Sequence, residues 1–231
     1  MTINPQNKRS DNVRAMFTRI AKSYDLMNRL MSGGRDLAWR RRLLRKLTLS
    51  DSAVVLDLGA GTGDLSNELQ KLNSSLKIMA ADFTLGMLTT DRDWHGIPRV
   101  NADAQTLPFQ GQAFDALISG FLVRNVEDVD QALREMARAL KPGGSVGILD
   151  MTRPRKNLLT PIINFFLNRI VPLMGALITG QKEAYTYLPN STQTFLSAEE
   201  LAEKMSQAGF VNVHFEVLNF GTVAIHYGVL H

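Results

Sequence analysis

The residues best placed to do chemistry are Asp57-Leu58-Gly59-Ala60-Gly61-Thr62-Gly63-Asp64, which follow the apolar run Ala53-Val54-Val55-Leu56. A short apolar run that ends in an aspartate and a glycine cluster reads as a buried strand turning into a helix. Gly59, Gly61 and Gly63 allow a tight backbone and close approach of a ligand. The start of the following helix leaves N–H groups free, and these attract an anionic group such as a carboxylate. A dinucleotide fingerprint requires G-x-G-x-x-G, and Asp64 occupies the place of the third glycine. A carboxylate beside a pyrophosphate is repulsive.

Two further aspartates end apolar runs downstream. Asp82 lies about 20 residues after the glycine turn, where a carboxylate accepts hydrogen bonds from ribose hydroxyls. Asp103 closes the next run, and with the Ala104 N–H it can answer the amino group and a ring nitrogen of adenine. The set fits an adenosine ligand without phosphates, S-adenosylmethionine, whose ammonium Asp57 or Asp64 can meet directly or through water.

These residues need elements to carry them. Apolar runs at Ala53–Leu56, Leu76–Ala81, Arg99–Ala102, Phe114–Ser119 and Ser145–Asp150 alternate with helical segments Asp64–Leu72, Thr84–Asp91 and Asp128–Leu140. Strands alternating with helices imply parallel pairing with right-handed crossovers. Val211–Leu218 and Thr222–Leu230 are separated only by Asn219-Phe220-Gly221 and should close the chain as an antiparallel hairpin. The expectation is one α/β domain over residues 1–231, with a Rossmann-like seven-stranded sheet of five parallel strands plus the hairpin. Helices over residues 1–50 precede the sheet, and a helical insertion or lid over residues 155–195 follows its fifth strand. Met1 to Asp11 reads as a short polar arm before a helix from Asn12 to about Met31. Gly33-Gly34 breaks that helix ahead of a basic one ending at Leu47. Ser197-Ala198-Glu199-Glu200 has the form of a capping box. Asn157–Thr179 is strongly apolar but contains Pro161, Asn164, Asn168, Arg169 and Pro172. It therefore reads as an inserted helix pair rather than a membrane span.

The 231 residues include no cysteine, which removes disulfides, thiolate metal sites and cysteine nucleophiles; no metal site is expected. With no apolar signal segment at the N-terminus, the expected location is cytoplasmic. Charge is uneven. Residues 1–50 hold 12 Lys/Arg against three Asp/Glu, net +9, and the remainder holds 14 against 19, net −5. Six of the basic residues fall between Arg35 and Lys46. Such a face binds nucleic acid or an anionic bilayer, or is a solvated helix whose stems cover Leu37, Trp39, Leu43, Leu44 and Leu47.

The chain resembles the ubiquinone/menaquinone biosynthesis C-methyltransferases, a family of class I methyltransferases, from about residue 10 to its end. The resemblance rests on Tyr24-Asp25-Leu26-Met27-Asn28 with Ser32 and Trp39, the glycine turn, Ala102-Asp103-Ala104 with Leu107-Pro108-Phe109, and Phe114-Asp115. It continues through Arg124-Asn125-Val126, Leu140-Lys141-Pro142-Gly143-Gly144, Tyr187-Leu188-Pro189 with Ser191, and Ala224-Ile225-His226. It implies cofactor contacts at Thr62, Asp82, Asp103 and Ala104, and methylation of a ring carbon of a polyprenylated quinol. Asp36, Gly120 and the loop Asp82-Phe83-Thr84 depart from the common pattern, and they favour a demethylmenaquinol or demethylphylloquinol substrate. The alternative is a methyltransferase acting on RNA or on another small aromatic compound. Nucleic acid is disfavoured because Ser119-Gly120-Phe121-Leu122 lacks an Asp/Asn-Pro-Pro-Tyr type segment. A homodimer and peripheral membrane contact through the basic helix are the expected associations.

A ring carbon attacks a methyl sulfonium only after a neighbouring phenol has lost its proton. Arg124 and Asn125, after the fourth strand, are placed to hold that phenolate; otherwise Arg124 forms a structural ion pair with Asp128 or Asp130. His226 is the titrating group best matched to proton removal, with Tyr24, Asp25, Tyr185 and Tyr187 as further candidates.

Overall fold

In the computed structural model, which describes residues 5–153 and 160–231, seven strands form one sheet in the order β3-β2-β1-β4-β5-β7-β6. The side chains of residues 5–10, 182–183 and 188–190 lie outside the description, as does the start of the expected insertion at Asn157. The strands are β1 (Val54–Leu58), β2 (Lys77–Asp82), β3 (Arg99–Asn101), β4 (Phe114–Gly120), β5 (Leu140–Met151), β6 (Phe210–Leu218) and β7 (Val223–Leu230). The first five pair in parallel, and β7 runs antiparallel to both β5 and β6. The β1 and β4 strands are apolar and buried on both faces, as a parallel sheet covered on both sides requires.

The helices are α1 (Pro5–Ile20), α2 (Tyr24–Ser32), α3 (Arg35–Leu44), α4 (Asp64–Leu72), α5 (Leu85–Leu88), α6 (Val129–Ala139), α7 (Thr160–Phe165), α8 (Val171–Thr179), α9 (Lys182–Thr194) and α10 (Ala198–Gln207). Trp39, Leu43, Leu44, Leu65 and Leu69 of α3 and α4 cover one face of the sheet. Leu133 and Met136 of α6 and Leu201 and Met205 of α10 cover the other. A third core joins Met16, Ile20 and Met27 of the N-terminal helices to Leu167, Val171 and Tyr185 of the insertion. These helices form a cap beside the sheet.

Local sequence explains most of the boundaries. Ser197 Oγ accepts from the Glu200 N–H at 3.2 Å while Glu200 accepts from the Ser197 N–H at 2.7 Å, so the capping box is real. Asp128 caps α6 by accepting from the Gln131 N–H at 2.9 Å. The α5 helix is shorter than expected because the Thr89 and Thr90 hydroxyls donate back to the carbonyls of Leu85 and Met87 and end it early. The first helix already begins at Pro5, where proline suits a helix start, so most of the expected polar arm is helical. It is separated from α2 by a short 3-10 turn, Ala21–Ser23. The expected insertion becomes one apolar helical run, with a π turn at Phe166–Ile170 between α7 and α8, followed by α9.

Within the basic helix, charge is largely matched. Arg40 pairs with Asp36 and Asp64, Arg41 with Glu68, and Arg42 and Lys46 with Glu216. Four of the six cations between Arg35 and Lys46 therefore face carboxylates of this same chain.

Candidate active site

The sheet changes direction at β1: β2 and β3 lie on one side and β4 and β5 on the other. In such sheets the crevice at the carboxyl ends of the strands at the switch is where ligands bind. Two cavities open there. The first, smaller one is lined by Gly59, Gly61, Asp82, Asp103, Ala104 and Asn125 among others. The second, larger one is mostly apolar, with Arg124, Asn28 and Tyr187 among its polar walls. Phe17, Tyr24 and Phe121 line both cavities, so a thin aromatic wall separates them.

The glycine turn is held by Asp82. One of its carboxylate oxygens accepts from the Gly61 N–H at 2.8 Å and the other from the Thr84 N–H at 2.7 Å. Burial raises the Asp82 pKa above its ordinary value despite these bonds. The glycines serve different ends. A Cβ at Gly59 would stand 2.7 Å from Leu122, and one at Gly63 would stand 2.8 Å from the Trp94 ring, so these two are glycine for packing and for their positive φ. Gly59 and Gly61 both line the cavity, and of the three only Gly61, also at positive φ, has room for a Cβ, 3.4 Å from Met87. Asp103 accepts from the Gln105 N–H at 2.9 Å and keeps its carboxylate on the cavity wall beside Ala104.

Three expected cofactor contacts fall elsewhere. Asp57 is fully buried in β1, accepts from the Ser66 hydroxyl at 2.6 Å and does not reach the cavity. Gly63 sits behind Trp94. The Thr62 hydroxyl donates to Asp25 at 2.6 Å and lines neither cavity. Asp64 is no partner for an ammonium either, because Arg29, Arg40 and Arg92 surround it. With Asp25 engaged by Thr62 and Arg92, that carboxylate is not a free base.

Burial pushes the Asp57 carboxyl up to about 7, with the Ser66 hydrogen bonds opposing the rise. A carboxyl protonated more readily in the fold than in the unfolded chain contributes stability that is full below about pH 4. That contribution is lost as the pH rises through about 7. Asp57→Asn should flatten this dependence and raise Tm at pH 8 relative to the parent chain. A scan of Tm against pH that is superimposable for the two proteins refutes it.

Arg124 and Asn125 are brought to the site by the 3-10 turn Val123–Asn125, and adjacent residues face different cavities. The expected ion pair of Arg124 with Asp128 or Asp130 does not form, since Asp128 caps α6 and Asp130 accepts from Lys204. Its partner is Asp150 at the end of β5: Arg124 Nη1 lies 2.5 Å from one carboxylate oxygen, and the Arg124 N–H donates to the other at 3.1 Å. Both side chains are buried, and Arg124 Nε has no hydrogen-bond partner among the described residues. Sequence reasoning overlooked Asp150; the signal was a carboxylate ending a strand beside the other strand-end aspartates. The Tyr187 hydroxyl donates to Asn125 Oδ1 at 3.2 Å, which ties α9 to this turn. Enclosure raises the Tyr24 pKa, with the Arg124 cation pulling the other way, so Tyr24 is a donor rather than a base near neutral pH.

His226 is not part of the site. It is buried on β7 beneath α10, with Nε2 2.8 Å from the Ala198 carbonyl, and it lines neither cavity. Burial lowers its pKa and keeps it neutral. His226 offers the best-tuned titrating group in the sequence, but it stands mid-strand in β7, where a lone histidine also serves as packing, and its burial beneath α10 gives it that role. His226→Leu should cost about 1–3 kcal/mol of stability for the Ala198 carbonyl it strands. It should leave kcat within about twofold; a loss of kcat beyond tenfold at full folding would restore His226 as a catalytic group.

Comparison with known proteins agrees with this geometry. A family model described as the ubiE/COQ5 methyltransferase family matches residues 5–230. The chain is 40% identical over 220 residues to the ubiquinone/menaquinone biosynthesis C-methyltransferase UbiE of Desulfotalea psychrophila, covering 94% of this chain and 89% of the relative. It is 38% identical to a demethylmenaquinone methyltransferase of Roseiflexus castenholzii, covering 97% and 96%. Among solved structures, a SAM-dependent methyltransferase of Thermotoga maritima matches with a TM-score of 0.69 at 20% identity, covering 94% of this chain and 99% of that one. At that identity the likeness bears on the fold alone.

Proposed function

Because the chain belongs to the ubiE/COQ5 methyltransferase family, we propose that it methylates a ring carbon of a polyprenylated quinol in quinone biosynthesis, with S-adenosylmethionine as methyl donor. The relatives named as demethylmenaquinone methyltransferases favour a demethylmenaquinol-like ring. The observation that carries the reading is the aromatic wall: an acidic cavity and a large apolar one meet at Phe17, Tyr24 and Phe121.

The first cavity suits the donor. Among its lining residues are the carboxylates of Asp82, Asp103 and Glu127 and no lysine or arginine. A dinucleotide with two phosphates would be repelled there, whereas a nucleoside bearing a sulfonium and an ammonium is attracted. Asp82 retains acceptor capacity for ribose hydroxyls while it holds the Gly61 N–H, and Asp103 with Ala104 faces the base. Bound S-adenosylmethionine supplies an electrophilic methyl group on sulfur.

The second cavity suits the acceptor. Met16, Ile20, Ile163, Phe166, Leu167 and Val171 give it an apolar depth for an isoprenoid tail and exclude water. Arg124, fixed by Asp150, brings its guanidinium to the wall of this cavity, with Nε unpartnered among the described residues and free to donate. A cation within about 4–6 Å lowers a phenol pKa by roughly 1–3. The phenol proton passes to solvent at the cavity mouth. The phenolate pushes electron density onto the ring carbon as the C–CH3 bond forms and the S–CH3 bond breaks to leave a neutral thioether. Loss of the ring proton to solvent restores the aromatic ring, with the Asn125–Tyr187 pair placed to orient the oxygen. Alignment and exclusion of water do the rest of the work.

The test is incubation with methyl-labelled S-adenosylmethionine and a short-chain demethylmenaquinol under reducing conditions. Label should appear on the ring carbon. Failure to label carbon, with donor binding intact, overturns the substrate assignment.

A further inference from the structure

We propose that the α7–α8 run is a bilayer-docking face that opens the substrate cavity directly into the lipid. Thr160–Thr179 forms a 20-residue helical run long and apolar enough to cross a membrane, yet only 17% of its most apolar stretch is buried. It does not span, because its inner side is committed to protein: Leu167 and Val171 are buried in the cap core, and Tyr185 packs against Gly175 so closely that a Cβ there would meet the ring at 2.2 Å. Its outer side presents Ile162, Phe165, Arg169, Leu173 and Leu177 at helical spacing. Ile162 is 66% exposed, Phe165 61%, Leu173 55% and Leu177 78%. A stripe of this kind is costly in water and marks an interaction surface.

Two observations select a lipid surface as the occupant. Ile162 and Phe220 are both exposed and both line the larger cavity, so the cavity mouth sits at the end of the stripe. A helix lying in the interface plane would place that mouth at the acyl-chain boundary. Arg169, the only charged residue between Thr160 and Thr179, stands mid-stripe, where its stem can lie along apolar surface and its guanidinium can reach phosphate head groups. The basic helix α3, expected from sequence to make the contact, has Arg40, Arg41 and Arg42 on carboxylates of this chain, as has Lys46 just beyond it. The contact is therefore assigned to apolar insertion rather than to a basic face. The value of the mouth's position rests on the prenylated-quinol reading; the docking itself does not.

The experiment is co-sedimentation of the full chain with vesicles that contain neither donor nor quinol. Binding to phosphatidylcholine vesicles is expected, and it should persist in about 1 M salt, where charge attraction is screened to roughly 3 Å. A Phe165→Asp/Leu173→Asp/Leu177→Asp variant should bind at least tenfold more weakly, while its turnover of a water-soluble short-chain quinol stays at the parent level and so reports a folded site. Parent protein that ignores neutral vesicles, a variant that binds like the parent, or binding abolished by Arg45→Glu instead would each overturn the proposal. So would a dimer in sedimentation that the triple substitution splits, with no vesicle binding, since the stripe would then cover a second copy of the chain. Absence of turnover alongside intact vesicle binding would instead count against the assigned reaction and leave the docking face standing.

Discussion

Replacing Arg124 by alanine lowers kcat by about 10²–10³-fold, the loss typical of removing one preorganised donor to a developing oxyanion, while the dissociation constant of S-adenosylmethionine changes little. The separation follows from geometry: Arg124 lines the larger, apolar cavity and Asp82, Asp103 and Ala104 line the smaller, acidic one. A bare loss of rate would not distinguish this role from a structural one, because the substitution also leaves Asp150 buried without its cation. Breaking such a pair costs about 3–5 kcal/mol. The pH profile makes the distinction. If Arg124 lowers the pKa of the quinol hydroxyl, its loss moves the acid limb of kcat/KM to higher pH by roughly 1–3 pH units. Arg124→Lys should retain part of the rate and most of the limb. A thermally destabilised Arg124→Ala protein whose pH profile coincides with that of the parent would make the residue a structural one only.

The parts of this site that sequence reveals are those set by the backbone. Glycines between a strand and a helix, and aspartates at strand ends, occupy positions that topology fixes, so Gly59, Gly61, Asp82, Asp103 and Ala104 all arrive at one cavity. What sequence could not reveal was which way a side chain within that frame is satisfied. Asp57 and Asp82 both end strands, but Asp57 turns to Ser66 beneath α4 and Asp82 turns to the glycine turn. Thr62 lies inside the motif, yet its hydroxyl is taken by a helix 37 positions away in sequence. Arg124 lies on the wall of the larger cavity, but its partner was missed, since Asp128 and Asp130 are near in sequence while Asp150 is near in space only because β4 and β5 are neighbours. The alternation of strands and helices was legible for the same reason that the cap was not: parallel strands need crossovers of one hand, whereas no such rule dictates how α1, α2, α7 and α8 pack together.

An electrostatic cluster anchors α2 beside the glycine turn, and Asp64→Ala should undo it. Asp64 is buried at the first residue of α4 and accepts from Arg29 of α2 at 2.8 Å and from Arg92 at 2.8 Å, with Arg40 of α3 at 3.5 Å. Arg29 and Arg40 also converge on buried Asp36, and Arg92 also pairs with Asp25 of α2. The cap helix α2 and the sheet-covering helix α3 are thus clamped to the helix that follows the glycine turn. Burial by itself would raise the Asp64 carboxyl, but Arg40, Arg29 and Arg92 outweigh it and hold the carboxyl below its ordinary value. A depressed pKa contributes stability that is present above the unfolded value and lost as the pH falls through the folded one, so the clamp weakens only in acid. Removing the carboxylate leaves Arg40, itself buried, without one of its two partners. The expected cost is about 3 kcal/mol, since Arg29 and Arg92 are partly open to solvent and recover some hydration. For a chain of this size that is roughly 6–12 °C of Tm. Hydrogen exchange should localise the change to α2 and α3, and donor affinity should fall with it because Tyr24 and Phe17 of the cap line the donor cavity. A Tm within about 2 °C of the parent and unchanged exchange in α2 would show that the three arginines behave as an ordinary surface cluster.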